Sequence, residues 1–220
     1  MVTLPGGLTA EAVIFDFDGV IVDTEPIHYQ AFQEVLNPLG IFFSWENYVN
    51  RYMGFDDRDA FNEAFKNTIP VNRLKELIQQ KALCFISIIQ KGIKAYPGAV
   101  ELIQTLHKKR VPLAISSGAL RTDIDPILEI LGITDCFDVI VTADDVSKSK
   151  PDPECYKLAH KKLEGVWDRQ FPPLAVVAIE DTPAGIIAAK DAGLSVIAVS
   201  NSYPPDNLNY ADKIVATLLT

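Results

Sequence analysis

AVIFDFDGVIVDTE, residues 12–25, holds the decisive contradiction of this chain. Four apolar residues, Ala12–Phe15, read as a buried strand. They run straight into Asp16 and Asp18, which only Phe17 separates, and then into Gly19 and Asp23. Carboxylates gathered at a strand end repel one another and lose hydration, so something must offset the charge. A shared proton is one remedy and a divalent cation is the other. Oxygen donors suit Mg²⁺, which binds through one or two carboxylates plus a substrate phosphate.

The rest of the chain supplies the setting. Five further apolar runs resemble strands: 112–115, 138–141, 175–179, 195–199 and 213–216. They are rich in Val and Ile and continuous rather than alternating, as expected of parallel strands covered on both faces. Helical patterns lie between them. Ile124, Ile127, Leu128 and Leu131 share one face, and Gly132 stops that helix. Thr182 followed by Pro183 reads as an N-cap and a first-turn proline, with Gly193 closing the helix. Residues 165–173 read as a loop. The alternation predicts an α/β fold with a doubly wound, mainly parallel sheet, and a ligand at the C-terminal strand ends. From about 24 to 94 only helix signals occur. The expected domains are therefore a discontinuous core, 1–23 and 95–220, with an inserted helical domain, 24–94.

Totals narrow the function. The chain has 220 residues, 48% hydrophobic, with a formal charge of −9 and no Lys/Arg block, which argues against nucleic-acid binding. Its three cysteines, Cys84, Cys136 and Cys155, are scattered, without a CxxC. Neither a disulfide framework nor a zinc site is expected, and a reducing, cytoplasmic setting fits. The stretch MVTLPGGLTAEA lacks a basic region and a long apolar run, so no signal peptide is expected. No apolar window approaches the roughly 18 residues of a membrane span. Nothing demands more than a monomer.

The other strand ends complete a site. The second strand runs into Ser116, Ser117 and Gly118, whose hydroxyl and amides can cradle phosphoryl oxygens. SKSKPDP follows the third and offers Lys148 and Lys150; Pro151 stiffens the chain behind Lys150. The fourth ends in Glu180-Asp181. A carboxylate can attack phosphorus, a cation and a lysine can neutralise the transferring group, and a second carboxyl can shuttle a proton.

The set DxDGxxxDT, SSG, KPDP and EDTPAG resembles the haloacid dehalogenase superfamily of phosphotransferases, and EDTPAGIIAAKDAGL is similar to its β-phosphoglucomutase-like branch. The resemblance implies a Mg²⁺-dependent enzyme acting on a small phosphate ester through an aspartyl-phosphate. It implies Asp16 as nucleophile and metal ligand, and Asp18 as acid/base with its backbone carbonyl on the metal. Ser116 would hold the phosphoryl group beside Ser117 and Gly118. Lys150 would stabilise charge, and Asp181 would complete the metal site, with Glu180 bound to the metal or just behind it. An aspartate at position 18 disfavours dehalogenase and phosphonate-cleaving chemistry. Asp23 reads as a brace for the loop.

The insert then resembles the family's cap, with hinges expected near 22–25 and 94–97. Thr24 and His28 match positions that meet substrate and the general acid; His28 is otherwise a half-buried helix residue. Lys81 falls on the inward stripe of helix 74–89, with Leu74, Leu77, Ile78, Phe85 and Ile88. There it must either snorkel or meet an anion, and the resemblance makes that anion part of a substrate. A mutase grips the distal phosphate with an arginine shortly after a glycine. Here the stretch is Gly54-Phe55-Asp56-Asp57-Arg58: Asp57 takes the arginine's place and Arg58 stands one residue on. Phosphatase is therefore the leading reading and β-phosphoglucomutase the alternative. Receiver-type signalling domains share an acidic, Mg²⁺-binding pocket but place the phospho-acceptor on a later strand. A catalytically idle binder is the last alternative. Trp45, Tyr48, Tyr52 and Phe55 suggest an apolar wall for substrate. His107, His160 and Lys148 read as surface residues.

Overall fold

The structure, a computed structural model, describes residues 1–53, 55 and 57–219. The chain divides into two compact units, Met1–Asp23 with Lys94–Thr220, and Thr24–Ile93.

The first unit opens with a small antiparallel pair, β1 (Val2–Thr3) and β2 (Thr9–Ala10), turned through Gly6 and Gly7. A six-stranded parallel sheet comes next. Its strands are β3 (Ala12–Phe15), β4 (Leu113–Ser116), β5 (Val139–Val141), β6 (Val176–Glu180), β7 (Ser195–Val199) and β8 (Lys213–Val215). Their spatial order is β5-β4-β3-β6-β7-β8. Every residue of β3, β4 and β6 is buried, the state that continuous Val/Ile/Ala runs are suited to. The chain winds from β3 out to one edge and then to the other. The strand order therefore reverses at β3, which places its C-terminal end in the crevice between two neighbours.

Among the described residues, the second unit holds four α-helices: α1 (Glu25–Leu36), α2 (Trp45–Arg51), α3 (Asp57–Ala64) and α4 (Val71–Ile89). Their shared core gathers Phe32, Leu36, Tyr48, Phe61, Leu74 and Leu77. Burying each such side chain contributes about 1.5–3 kcal/mol. Of the expected apolar wall, Trp45 and Phe55 are exposed, whereas the two tyrosines are turned inward. Tyr48 and Tyr52 are buried, Tyr52 stacks on Phe43 with centroids 5.0 Å apart, and the Tyr48 hydroxyl donates to Glu25 at 2.7 Å. Tyr48 and Tyr52 serve the insert's own packing.

The first unit's helices are α5 (Ala99–Lys108), α6 (Arg121–Leu131), α7 (Glu154–Trp167) and α8 (Pro183–Asp191). Gly132, in the left-handed region, ends α6 as expected. The expected loop at 165–173 begins three residues late. Exposed Gly165 is tolerated inside α7, and Asp168 takes the left-handed position that ends it. His160 is not a surface residue: its Nε2 lies 2.9 Å from the Phe171 carbonyl and its side chain is 13% exposed.

Candidate active site

Asp16 directly follows β3, and its N–H still donates to the Ile179 carbonyl at 2.9 Å, so the ladder fixes where the carboxylate leaves the sheet. The chain then turns at Gly19, whose φ is +78° and whose amide donates to the Val22 carbonyl. A Cβ on Gly19 would stand 1.8 Å from Asp181 Oδ2, so only glycine lets this loop approach Asp181. The Asn201 amide, beyond β7, donates to the Gly19 carbonyl at 2.6 Å and fixes the loop from the other side.

β4 ends in Ser116, fully buried. Ser117 departs from expectation. Its N–H donates to the Val141 carbonyl at 3.0 Å and its hydroxyl accepts from Ala119 N–H, so both are engaged in backbone structure. Gly118 is exposed.

Lys150 enters from the segment before α7. Its ammonium donates to Asp16 Oδ1 at 2.8 Å, Glu180 Oε1 at 2.6 Å and the Ser116 carbonyl at 3.1 Å. Burial opposes the charged form, but the Asp16 and Glu180 carboxylates outweigh it and raise the lysine's pKa. Lys148, by contrast, is exposed and pairs with Asp152.

Glu180 ends β6, fully buried. Its Oε1 also accepts from the Tyr156 hydroxyl at 2.8 Å. Its Oε2 accepts from the amides of Asp181 and Thr182 and from the Thr182 hydroxyl. That hydroxyl in turn caps α8 by accepting from Gly185 N–H at 3.0 Å. A Cβ on Gly185 would lie 1.8 Å from Glu180 Oε1, so the helix starts this close because the residue is glycine. Tyr156 is the site residue that sequence reasoning missed. It shares an apolar face with Ala159 and Leu163 and reads as core. The available signal was that a buried tyrosine hydroxyl needs a partner.

Among the described residues, two buried side-chain oxygens have no hydrogen-bond partner: Ser116 Oγ and Asp181 Oδ1. Oxygens of Asp16, Glu180 and Asp181 lie within 4.8 Å of one another. Burial and the neighbouring Glu180 and Asp181 carboxylates raise the Asp16 pKa well above the usual range, against the pull of Lys150. Burial, with Glu180 and Asp18 adding to it, holds Asp181 at about 7, despite the Ser202 hydrogen bond and Lys150. Three carboxyl groups thus share one ammonium.

Asp16, Ser116, Lys150, Glu180 and Asp181 thus converge on the C-terminal ends of three adjacent strands, with Asp18 on the loop beside them. Within this frame a family model of haloacid dehalogenase-like hydrolases matches residues 13–199. The chain belongs to that family. The haloacid dehalogenase-like fold accounts for the sheet order and the inserted helices. A phosphorylated carbohydrates phosphatase of Thermotoga maritima is 33% identical over 190 residues, covering 85% of this chain and 83% of the relative. CbbY of Rhodobacter sphaeroides, solved in complex with xylulose-(1,5)bisphosphate, superposes with a TM-score of 0.81 at 25% identity, covering 96% of each chain. β-Phosphoglucomutase of Clostridium difficile gives 0.75 at 26% identity, covering 96% of this chain and 92% of that one. Among the described residues, no helix is long and apolar enough to cross a membrane.

A dication fits this hydrolase. The donor set is all oxygen and buried, and among the described residues Asp181 Oδ1 has no partner.

The insert has a polar centre of its own. Lys81, 2% exposed, donates to Asp57 at 2.7 Å and to His28 Nδ1 at 2.8 Å. His28 stacks on Phe85, and burial with the Lys81 charge lowers its pKa to about 3. The lysine of the inward stripe therefore meets its anion inside the insert, at Asp57, a partner the sequence reading did not assign. Thr24 is buried, whereas Arg58 is exposed, 4.0 Å from Asp59. Gly54 lies outside the described residues.

Proposed function

We propose that this haloacid dehalogenase-like hydrolase is a Mg²⁺-dependent phosphatase of small phosphorylated carbohydrates. The carrying observation is the Lys150 ammonium shared between Asp16 and Glu180, beside two buried oxygens, Ser116 Oγ and Asp181 Oδ1, that have no partner among the described residues. Such an arrangement suits a ligand that brings both phosphoryl oxygens and a cation.

Asp16 and Asp181, with the Asp18 carbonyl, would hold Mg²⁺. When bound, the ion neutralises charge on the carboxylates and on the phosphoryl oxygens. Asp16 attacks phosphorus as the ester P–O bond breaks, and Asp18 gives its proton to the departing alcohol oxygen. Asp18, now a carboxylate, takes a proton from water. That water's oxygen attacks phosphorus, the bond to Asp16 breaks and phosphate leaves. Ser116 Oγ donates to a phosphoryl oxygen throughout. Lys150 balances charge on the group in transfer, while Glu180, its lone pairs committed to Tyr156, Thr182 and the Asp181 amide, anchors the lysine rather than the metal.

Hydrolysis of p-nitrophenyl phosphate tests the reading. The expected result is phosphate release that needs Mg²⁺ and falls at least a thousandfold in Asp16→Asn. Release unaffected by that substitution overturns it. Isomerisation of β-glucose 1-phosphate, primed by glucose 1,6-bisphosphate, faster than phosphate release would establish the mutase instead.

A further inference from the structure

We propose that Tyr156 is a positioning residue that decides how Glu180 is used: its hydroxyl keeps that carboxylate on Lys150 and leaves the metal position to Asp16 and Asp181. The inference rests on the phosphatase reading and names what governs the choice of ion at that same site.

Oxygens of Asp16, Glu180 and Asp181 lie within 4.8 Å of one another, so distance alone would let all three carboxylates take one cation. The lone pairs decide otherwise. A carboxylate offers about four acceptor sites on its two oxygens. Glu180 Oε1 accepts from the Tyr156 hydroxyl at 2.8 Å and from Lys150 at 2.6 Å. Its Oε2 accepts from Asp181 N–H at 3.0 Å, Thr182 N–H at 3.3 Å and the Thr182 hydroxyl at 3.2 Å. The donors to Oε2 belong to the chain leading into α8, so the backbone holds them in place. On Oε1 the lysine is itself the group being held, and the tyrosine hydroxyl fills what remains. Tyr156 is fully buried in the first turn of α7. Its hydroxyl lies 3.5 Å from Lys150 Nζ and its ring centroid 5.0 Å, so one side chain braces lysine and carboxylate together. Glu180 has no exposed surface, and an acceptor site left unfilled there costs free energy until a donor or a cation takes it. Mg²⁺ keeps several waters and needs only one or two carboxylates, whereas Ca²⁺ gathers roughly six to eight oxygens and readily takes a further, bidentate carboxylate. By withholding Glu180, Tyr156 favours Mg²⁺.

Calorimetry on the metal-free full chain gives dissociation constants for Mg²⁺ and for Ca²⁺. Tyr156→Phe keeps the ring and removes only the hydroxyl. Ca²⁺ is expected to bind about tenfold more tightly to this variant, the order of one charge-assisted contact made available to the ion. Mg²⁺ affinity should change by less than about threefold. Loosened packing would weaken both ions, so a selective gain for Ca²⁺ separates positioning from structural support. Combining Tyr156→Phe with Glu180→Gln should abolish the gain, because the tyrosine acts through that carboxylate. With Mg²⁺ and p-nitrophenyl phosphate, kcat of Tyr156→Phe should fall about tenfold while KM stays within about twofold, as the lysine loses its fixed partner. Ca²⁺ binding to Tyr156→Phe no tighter than to the parent, or a gain that persists without the Glu180 carboxylate, overturns the inference. The calorimetry needs no turnover, so phosphate release by the unaltered enzyme reports separately on the phosphatase reading.

Discussion

Replacing Asp181 by Asn should stabilise the metal-free protein at neutral pH while destroying its response to Mg²⁺. Asp181 is 1% exposed and its carboxyl titrates at about 7, raised first by burial and then by Glu180 and Asp18. In the unfolded chain the same group titrates near 3.9. Between those values the folded state binds more protons than the unfolded one. This group's contribution is therefore present at low pH and lost as pH rises through the folded pKa. The linkage relation gives a loss of about 2.5 kcal/mol between pH 5 and 7.5. The asparagine variant cannot titrate there, so the wild-type-minus-variant difference carries this slope together with the change at Asp16, whose pKa the Asp181 carboxylate helps raise. Urea unfolding in EDTA at several pH values measures it. Mg²⁺ at saturating concentration should then stabilise the wild type by mass action and leave the variant unchanged. Parallel stability curves from pH 5 to 7.5, or equal stabilisation of both proteins by Mg²⁺, would refute the reasoning.

Gly185→Ala should cost about 2–3 kcal/mol and lower kcat as well, because its Cβ must push Glu180 away from Lys150; thermal unfolding and p-nitrophenyl phosphate turnover check it, and a stable, fully active variant counts against it. The His28 pKa of about 3 lies below the unfolded value near 6.5, so stability from this group is present above 6.5 and is lost toward pH 3, by up to about 1.4 kcal/mol per unit. Its imidazole resonances should remain those of the neutral Nε2–H form from pH 8 to 5, and a midpoint near 6.5 would contradict the buried pairing.

The parallel sheet was readable because burial on both faces demands unbroken runs such as VVAI and VIAV, and few other structures use them. The β1–β2 pair was not: two-residue strands have no periodicity, and their pairing depends on Gly6 and Gly7. Acidic and basic residues at strand ends are conspicuous because their types conflict with the apolar strands before them. Tyr156 conflicts with nothing along its helix, and its role exists only once β6 brings Glu180 beside it. Lys81 was legible as a charge on an apolar stripe, but its partner was not. Asp57 stands 24 positions earlier on another helix, and no spacing rule links the two. Ser117 shows the opposite case: an amide in the right motif already donates to the Val141 carbonyl, while its hydroxyl accepts from Ala119.

The strand order also governs the birth of the molecule. β3 leaves the ribosome before its sheet neighbours, and Val13 lies beside Leu113 and Val177, each made long afterwards. This wholly apolar strand therefore waits unpaired while the entire helical insert and much of the later chain are synthesised. Closing such distant pairings is slow, and the waiting segment is open to wrong partners. Nascent chains of this architecture carry their greatest hazard of misassembly in the same few residues that later lead into Asp16 and the candidate site.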